Sequence, residues 1–403
     1  MLAFEENDRS PAIIKVVGVG GAGMNAVERM VSLDLSGVEI IAMNTDEQVL
    51  KRATAHLKIP LGNKLTRGMG AGGRPEVGAQ AAIEDRDKIV SALKGSDMVF
   101  ITAGMGGGTG TGASPIVAEV AKELKALTVG VVSMPFKYEG QQKMEYARKG
   151  QINMREKVDT LITIPNDAIF KVIDRNTPIN LAFKAIDDVL ARSVIGISDI
   201  INSTGLVNVD FADIRTVMSQ NGDAVIGVGF GEGENRISDA LQQAIHHPLL
   251  EGKSIEGARA VLINVVGGSD LTLYEYTEIQ ETIHELVSKD AHIIVGFTED
   301  SGKEDQVNIT VIATGFKSGR ITSIGIDNNA EEKKGHNQLN NEKKNIYEQE
   351  EIPQKKTGTD YGSIKIHKNQ SDHKSSIQQG FNFPNLETDL DKLNIPAFLR
   401  KNK

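Results

Sequence analysis

The sequence predicts an α/β protein: a Rossmann-like domain on a parallel sheet, a long central helix and a second smaller α/β domain, then a disordered C-terminal linker and a short terminal peptide. Three observations predict it. Short apolar runs alternate with helical stretches through residues 1–316, the pattern of strands covered on both faces. Glycine-rich loops follow several of those runs. From Lys317 the composition turns polar, and only the last eleven residues become apolar again.

The elements follow in order. IIKVVGV (13–19) is an apolar run ending in glycines, and a helix pattern starts near Met24. EIIAMN (39–44), LKIPL (57–61), MVFITAG (98–104), LTVGVVSMP (127–135) and TLITIPN (160–166) continue the strands, with PIVAEVAKELKAL (115–127) a helix among them. A long helix pattern runs from Pro178 to about Ser203, interrupted by a single glycine, Gly196. It is expected to form the seam to a second unit with strands at 224–231, 258–268, 291–299 and 308–316. The resulting divisions are 1–11 (a flexible segment), 12–177, 178–204, 205–316, 317–392 and 393–403.

Composition narrows the chemistry. The 403 residues include no Cys and no Trp, which excludes disulfides, zinc thiolates and thiol nucleophiles. A net charge of −9 argues against nucleic acid as a partner. MLAFEENDRS has no apolar core of the signal-peptide kind. No apolar run approaches the roughly 18 residues a membrane span needs, so a cytoplasmic protein without direct membrane insertion is expected. Residues 317–392 carry 12 Lys/Arg against 12 Asp/Glu and few apolar residues, too little apolar surface to offset the entropy of ordering. Such a linker has a root-mean-square reach of roughly 45–50 Å.

The glycine loops carry the chemistry. GVGGAG (18–23) fits G-x-G-x-x-G between a strand and a helix, where free N–H groups and the helix dipole suit a phosphate. A tight strand–helix turn is the plainer reading. A dinucleotide would want an acid at the end of the second strand; Asn44 stands there, with Asp46 two residues on. AGMGGGTGTG (103–112) and GAGGRPEVG (70–78) place two more such loops at the same sheet edge. Three loops suit a nucleoside triphosphate better than NAD. There is no G-x-x-x-x-G-K-[ST], so backbone N–H groups, the hydroxyls of Thr109 and Thr111, and Mg²⁺ are expected to hold the phosphates. No metal-ligating residue of the protein is assigned. His246–His247 read as solvated or capping residues.

At this point the sequence resembles the tubulin/FtsZ superfamily and, within it, the bacterial cell-division GTPases. GGGTGTG (106–112), GVGGAGMNA (18–26), NTD (44–46), PFKYEG (135–140), IPND (164–167) and NVDFAD (208–213) match in order and spacing. The resemblance implies that GTP or GDP lies against Gly20, Gly21, Ala22, Gly23, Met24 and Asn25, with Asn44 near them. Gly104, Gly107, Gly108, Thr109 and Gly110 would hold the β- and γ-phosphates, and Ala71, Gly72 and Gly73 would close over the γ-phosphate. Glu139 would meet the ribose, Asn166 would lie near the sugar, Phe183 would stack on the base, and Asp187 would accept from guanine's two adjacent donors. Lys143 stands where the family usually has Arg, and would act as a point charge rather than a bidentate grip.

Asp210 and Asp213 are three residues apart at a helix start, where an ordinary cap is the bland reading. With Asn208 they also fit the orientation of an attacking water. In the family this loop enters the nucleotide site of the next subunit, so that a head-to-tail contact which does not close makes a filament. A Rossmann-type oxidoreductase and a nucleotide-regulated scaffold without turnover are the rival readings. The tail LNIPAFLRKNK (393–403) sets Ile395, Phe398 and Leu399 on one helical face, with Pro396 and Arg400 among them. It resembles a peptide that binds membrane-tethering adaptors such as FtsA; its basic end admits weak contact with anionic lipid. The implied setting is a ring at mid-cell on the inner face of the membrane.

Overall fold

The computed structural model describes residues 12–33, 35, 37–202, 209–220, 222–247, 255–300 and 302–316. The expectations for 1–11, for Asn208, for the linker 317–392 and for the tail with Ile395, Pro396, Phe398, Leu399 and Arg400 lie outside the described residues.

The elements are β1 (Ile14–Val19), α1 (Gly20–Ser32), β2 (Val38–Asn44), α2 (Glu47–Arg52), β3 (Leu57–Pro60), α3 (Asn63–Thr66), α4 (Pro75–Glu84), α5 (Arg86–Leu93), β4 (Met98–Gly104), α6 (Thr109–Glu123), β5 (Leu127–Met134), α7 (Gln141–Lys157), β6 (Thr160–Pro165) and α8 (Ile179–Asn202). Then come α9 (Phe211–Met218), β7 (Gly222–Glu232), α10 (Arg236–Ile245), β8 (Ala260–Gly267), α11 (Leu273–Leu286), β9 (His292–Glu299) and β10 (Gln306–Thr314). The strands form one sheet in the order β3-β2-β1-β4-β5-β6-β7-β10-β8-β9.

The expected parallel sheet is present from β3 to β7. The second unit departs from it: β10 is antiparallel to both β7 and β8, while β8 and β9 are parallel. The short turn from β9 to β10 reverses the chain, whereas α11 supplies the long crossover that parallel neighbours need. The two units also share more than a helix. Thr160, Leu161 and Ile162 of β6 pair with Gly222, Asp223 and Ala224 of β7, so the sheet is continuous between them.

Strand side chains alternate between two layers. In β1, Val16 joins the core with α1, α8 and α9, and Val17 joins the one with α5 and α6. Burying each such side chain stabilises by about 1.5–3 kcal/mol before entropy is counted. On α8, Ile186, Leu190, Val194, Ile197 and Ile200 face inward at helical spacing. The helix packs on α1 and β5 at one end and on β8 and β9 at the other.

α8 also sets a distance. It begins beyond the carboxyl end of β6, and its Asn202 lies against Gly37, just before β2 starts. Its 24 residues therefore cross from one edge of the sheet to the other, roughly 36 Å at the helical rise.

Candidate nucleotide site

The loops after β1 and β4 open directly into α1 and α6 at the carboxyl edge of the parallel strands. Neither helix has a side-chain cap or an acid in its first turn. Their first N–H groups are thus left for a ligand, and the positive end of each dipole is uncompensated.

The glycines of these loops divide into two kinds. A Cβ on Gly23 would sit 2.3 Å from the Thr102 carbonyl oxygen, and one on Gly110 2.6 Å from that of Gly104. On Gly20 it would meet Gly110 N at 2.8 Å, on Gly104 the Ala22 side chain at 2.6 Å, and on Gly108 the Ala71 side chain at 2.8 Å. Those five let the protein's own loops touch. At Gly21, Gly72, Gly73 and Gly107 nothing lies within 4 Å of the added atom. The open glycines belong to all three loops, so the loops line one common space. The expectation that phosphates account for the glycines thus holds geometric room at four positions; at Gly20, Gly23, Gly104, Gly108 and Gly110 the neighbour is polypeptide.

Side chains sort similarly. Thr109 begins α6, and its hydroxyl lies 2.7 Å from that of buried Thr45. Thr111 is buried, and its Oγ1 accepts the Gly106 N–H at 2.8 Å and braces the loop. Met24 is buried, and its sulfur accepts from Asn44 Nδ2 at 3.1 Å, so these two side chains satisfy each other. Asn25 and Ala22 are exposed, and Ala71 is buried beneath exposed Gly72 and Gly73. The Asp46 carboxylate accepts from Gln48 N at 2.9 Å and Val49 N at 3.1 Å, capping α2.

The wall toward α8 is aromatic. Phe183 is 47% exposed and meets buried Phe136 edge-on at 5.9 Å, and Phe136 stacks on Tyr138 at 4.9 Å. A half-exposed ring backed by a buried one is a ready platform for a planar base. Asp187 lies one turn on from Phe183. Burial, with Asp188 beside it, pushes its carboxyl up to about 7. Asp188 is engaged by Arg29, while among the described residues no cation pairs with the Asp187 carboxylate. Asn166 follows β6, and its Oδ1 is buried with no hydrogen-bond partner among the described residues, an acceptor left for a ligand donor. Glu139 and Lys143 are paired with each other, and Glu139 Oε1 also accepts the Phe136 N–H at 2.8 Å. Sequence reasoning assigned them separately to ribose and phosphate and missed this pairing, although their four-residue spacing was its signal. It also passed over Thr45, read only as the middle of NTD.

Asp210 and Asp213 lie elsewhere. Asp210 is the N-cap residue of α9, yet its carboxylate makes no capping bond. Ile214, Val217 and Met218 turn inward, and both acids are exposed. Val209 packs with Ile200 of α8 around Gly296. The acids therefore stand by the last turns of α8, roughly 25 Å along that helix from the aromatic wall, counted from Phe183 to Ile200.

Comparison with known proteins joins these parts. Residues 13–174 match the GTPase domain of the Tubulin/FtsZ family and residues 222–317 the C-terminal domain of the FtsZ family. The chain belongs to the Tubulin/FtsZ family. An empty FtsZ dimer from M. jannaschii is 45% identical, with a TM-score of 0.73 over 77% of this chain and 90% of that one. CetZ1 from Haloferax volcanii, a GDP-bound monomer, is 22% identical, with a TM-score of 0.67 over 76% and 95% of the two chains. CetZ2 from the same organism, a GTPγS-bound protofilament, is 19% identical, with a TM-score of 0.64 over 76% and 94%. These last two speak for the fold alone. As a member of the Tubulin/FtsZ family the chain is a GTPase that binds GTP and GDP. The rival oxidoreductase reading falls with this assignment, and the continuous α/β sheet is that of the family.

Proposed function

We propose that this GTPase polymerises head to tail, and that each bound GTP is hydrolysed between two copies of the chain. One observation carries the reading: the exposed pair Asp210 and Asp213 stands at the opposite edge of the sheet from the three glycine loops. Within one molecule the acids cannot reach a nucleotide held at Gly21, Gly107 and Gly72. Stacking a second copy edge to edge brings its acids to that nucleotide, and because the two edges differ, the contact repeats without closing.

In this reading Gly20–Asn25, Asn44, Ala71–Gly73, Gly104, Gly107–Gly110, Glu139, Lys143 and Asn166 surround the sugar and phosphates, Phe183 carries the base, and Asp187 selects guanine. The next subunit's Asp210 and Asp213, with Asn208, accept hydrogen bonds from a water and orient it, and the proton it loses passes to the released phosphate. That water's oxygen bonds to the γ-phosphorus as the β,γ-anhydride bond breaks. Positioning of this kind supplies most of the catalysis in phosphoryl transfer. Among the described residues no group of three or more His, Asp or Glu could hold a metal. Mg²⁺ would therefore bind chiefly through phosphate oxygens and water, where it neutralises charge.

The protein would act in bacterial cell division as the filament of a cytoplasmic ring at mid-cell, and recruit membrane-tethering adaptors such as FtsA through Ile395, Pro396, Phe398, Leu399 and Arg400. Among the described residues no helix is long and apolar enough to cross a membrane, which accords with tethering through a partner. GTPase rate against protein concentration, with light scattering, tests the proposal. A shared threshold with GTP, and none with ATP, is expected; a rate per molecule independent of concentration would refute it.

A further inference from the structure

We propose that Thr45 is a positioning residue, which aims the Thr109 hydroxyl proton at the nucleotide phosphate and ties that contact to the 66–74 loop. Thr45 follows β2 and is 1% exposed. Its side chain reaches one phosphate loop: Oγ1 lies 2.7 Å from Thr109 Oγ1. Its main chain holds another: the carbonyl oxygen accepts from Gly70 N at 3.1 Å and from Thr66 Oγ1 at 3.3 Å. The flanking residues extend this seam. Asp46 bridges Met69, and Glu47 N donates to Gly68 O at 3.1 Å. The loop thus leaves the seam at Gly70 and enters Ala71, Gly72 and Gly73.

The direction of the hydroxyl pair follows from burial. One hydroxyl donates and the other accepts. Among the described residues neither has another protein hydrogen-bond partner. Were Thr109 the donor, the Thr45 proton would be sealed in the interior without an acceptor, a costly arrangement. With Thr45 the donor, its proton is satisfied and that of Thr109 is released toward the open ends of the loops. Donation to Thr109 therefore leaves Thr109 a donor for an anion. A phosphate at Thr109 and the position of the 66–74 loop become linked through one residue.

The inference rests on the reading that Thr109 holds phosphate, and the test separates the two. Thr45→Val keeps the shape and removes the hydroxyl; Thr45→Ser keeps the hydroxyl; Thr109→Val removes the acceptor. Each full-length variant is titrated calorimetrically with GDP and a non-hydrolysable GTP analogue. Trypsin cleavage after exposed Arg67 reports the loop. Thr45→Val is expected to weaken the analogue about fivefold, the order of one lost hydrogen bond, and GDP less. It should also lose the analogue's protection of Arg67 at saturation while thermal stability is kept. Thr45→Ser should restore both. Equal binding by Thr109→Val and wild type would sink the phosphate reading itself. Weakening by Thr109→Val with wild-type affinity and protection in Thr45→Val would overturn the coupling alone. Parallel loss in Thr45→Val and Thr45→Ser would also overturn it, by assigning Thr45 to packing.

Discussion

In the proposed site Asp187 would select guanine by its charge, and its surroundings make that charge expensive. A carboxylate can accept from guanine N1–H and N2–H together; a protonated carboxyl cannot accept at both oxygens equally well. Burial and the nearby Asp188 push Asp187 up to about 7, so the empty protein is part protonated at neutral pH. Guanine donors favour the charged form and pull the value down. GTP affinity should therefore rise as pH goes from 6 to 8, with proton release on binding near neutrality. Calorimetry in buffers of different ionisation enthalpy measures both. Asp187→Asn should flatten the pH dependence and weaken GTP at least tenfold at pH 8. Persistence of the wild-type slope in that variant would take the guanine role away from Asp187. The linkage has a second sign: a carboxyl whose folded value exceeds its unfolded one binds more protons when folded. Its contribution to stability is therefore lost as pH rises from about 4 to 7. Spacing and composition do not separate Asp187 from Asp188, one position on; the family resemblance singled out Asp187, and the fold sets the two apart by placing Arg29 against Asp188.

At the scale of elements, glycine has two uses that the sequence spells identically. Gly112 lies inside α6, where an added Cβ would be 1.9 Å from the Pro75 oxygen at the start of α4. Gly112→Ala should force the two helices apart and lower stability by about 1–3 kcal/mol, the usual cost of overpacking, read as a fall in denaturation midpoint. Gly21 lies in the first turn of α1 with open space before it. Gly21→Ala should leave the unfolding free energy within about 0.5 kcal/mol of wild type yet weaken GTP strongly, because the methyl group occupies the nucleotide's space. If Gly21→Ala bound normally, the open glycines would not line the phosphate path. Strands β1, β2, β4, β5 and β6 were legible because buried parallel strands read as apolar runs. The short helices α2 and α3 were not, because six and four residues are too few to display a helical period. The antiparallel placement of β10 was also hidden, since an apolar run records burial and not direction.

At the scale of the molecule, the two halves of the proposed catalytic site were both legible as motifs, GGGTGTG and NVDFAD. Their separation was implied only by the family resemblance, because sequence distance says nothing about which sheet edge an element occupies. The length and course of α8 supply that fact, and they set the decisive experiment. Asp213→Ala removes an exposed carboxylate from a helix whose buried face is Ile214, Val217 and Met218, so folding and GTP binding should be unchanged while turnover falls at least a hundredfold. Gly21→Ala has the converse defect, an intact acid pair and a filled cradle. Neither variant alone should hydrolyse GTP at an appreciable rate. In a mixture, a nucleotide bound by an Asp213→Ala subunit can meet the intact acids of a Gly21→Ala neighbour, and that junction is complete. Activity should therefore reappear, peak near equal amounts of the two, and fall on dilution below the assembly threshold. A mixture no more active than the sum of its parts, at concentrations where light scattering shows co-assembly, would mean that the acids serve the nucleotide of their own chain. The sheet would then have to rearrange to close a gap of roughly 25 Å, which its continuous β6–β7 pairing opposes.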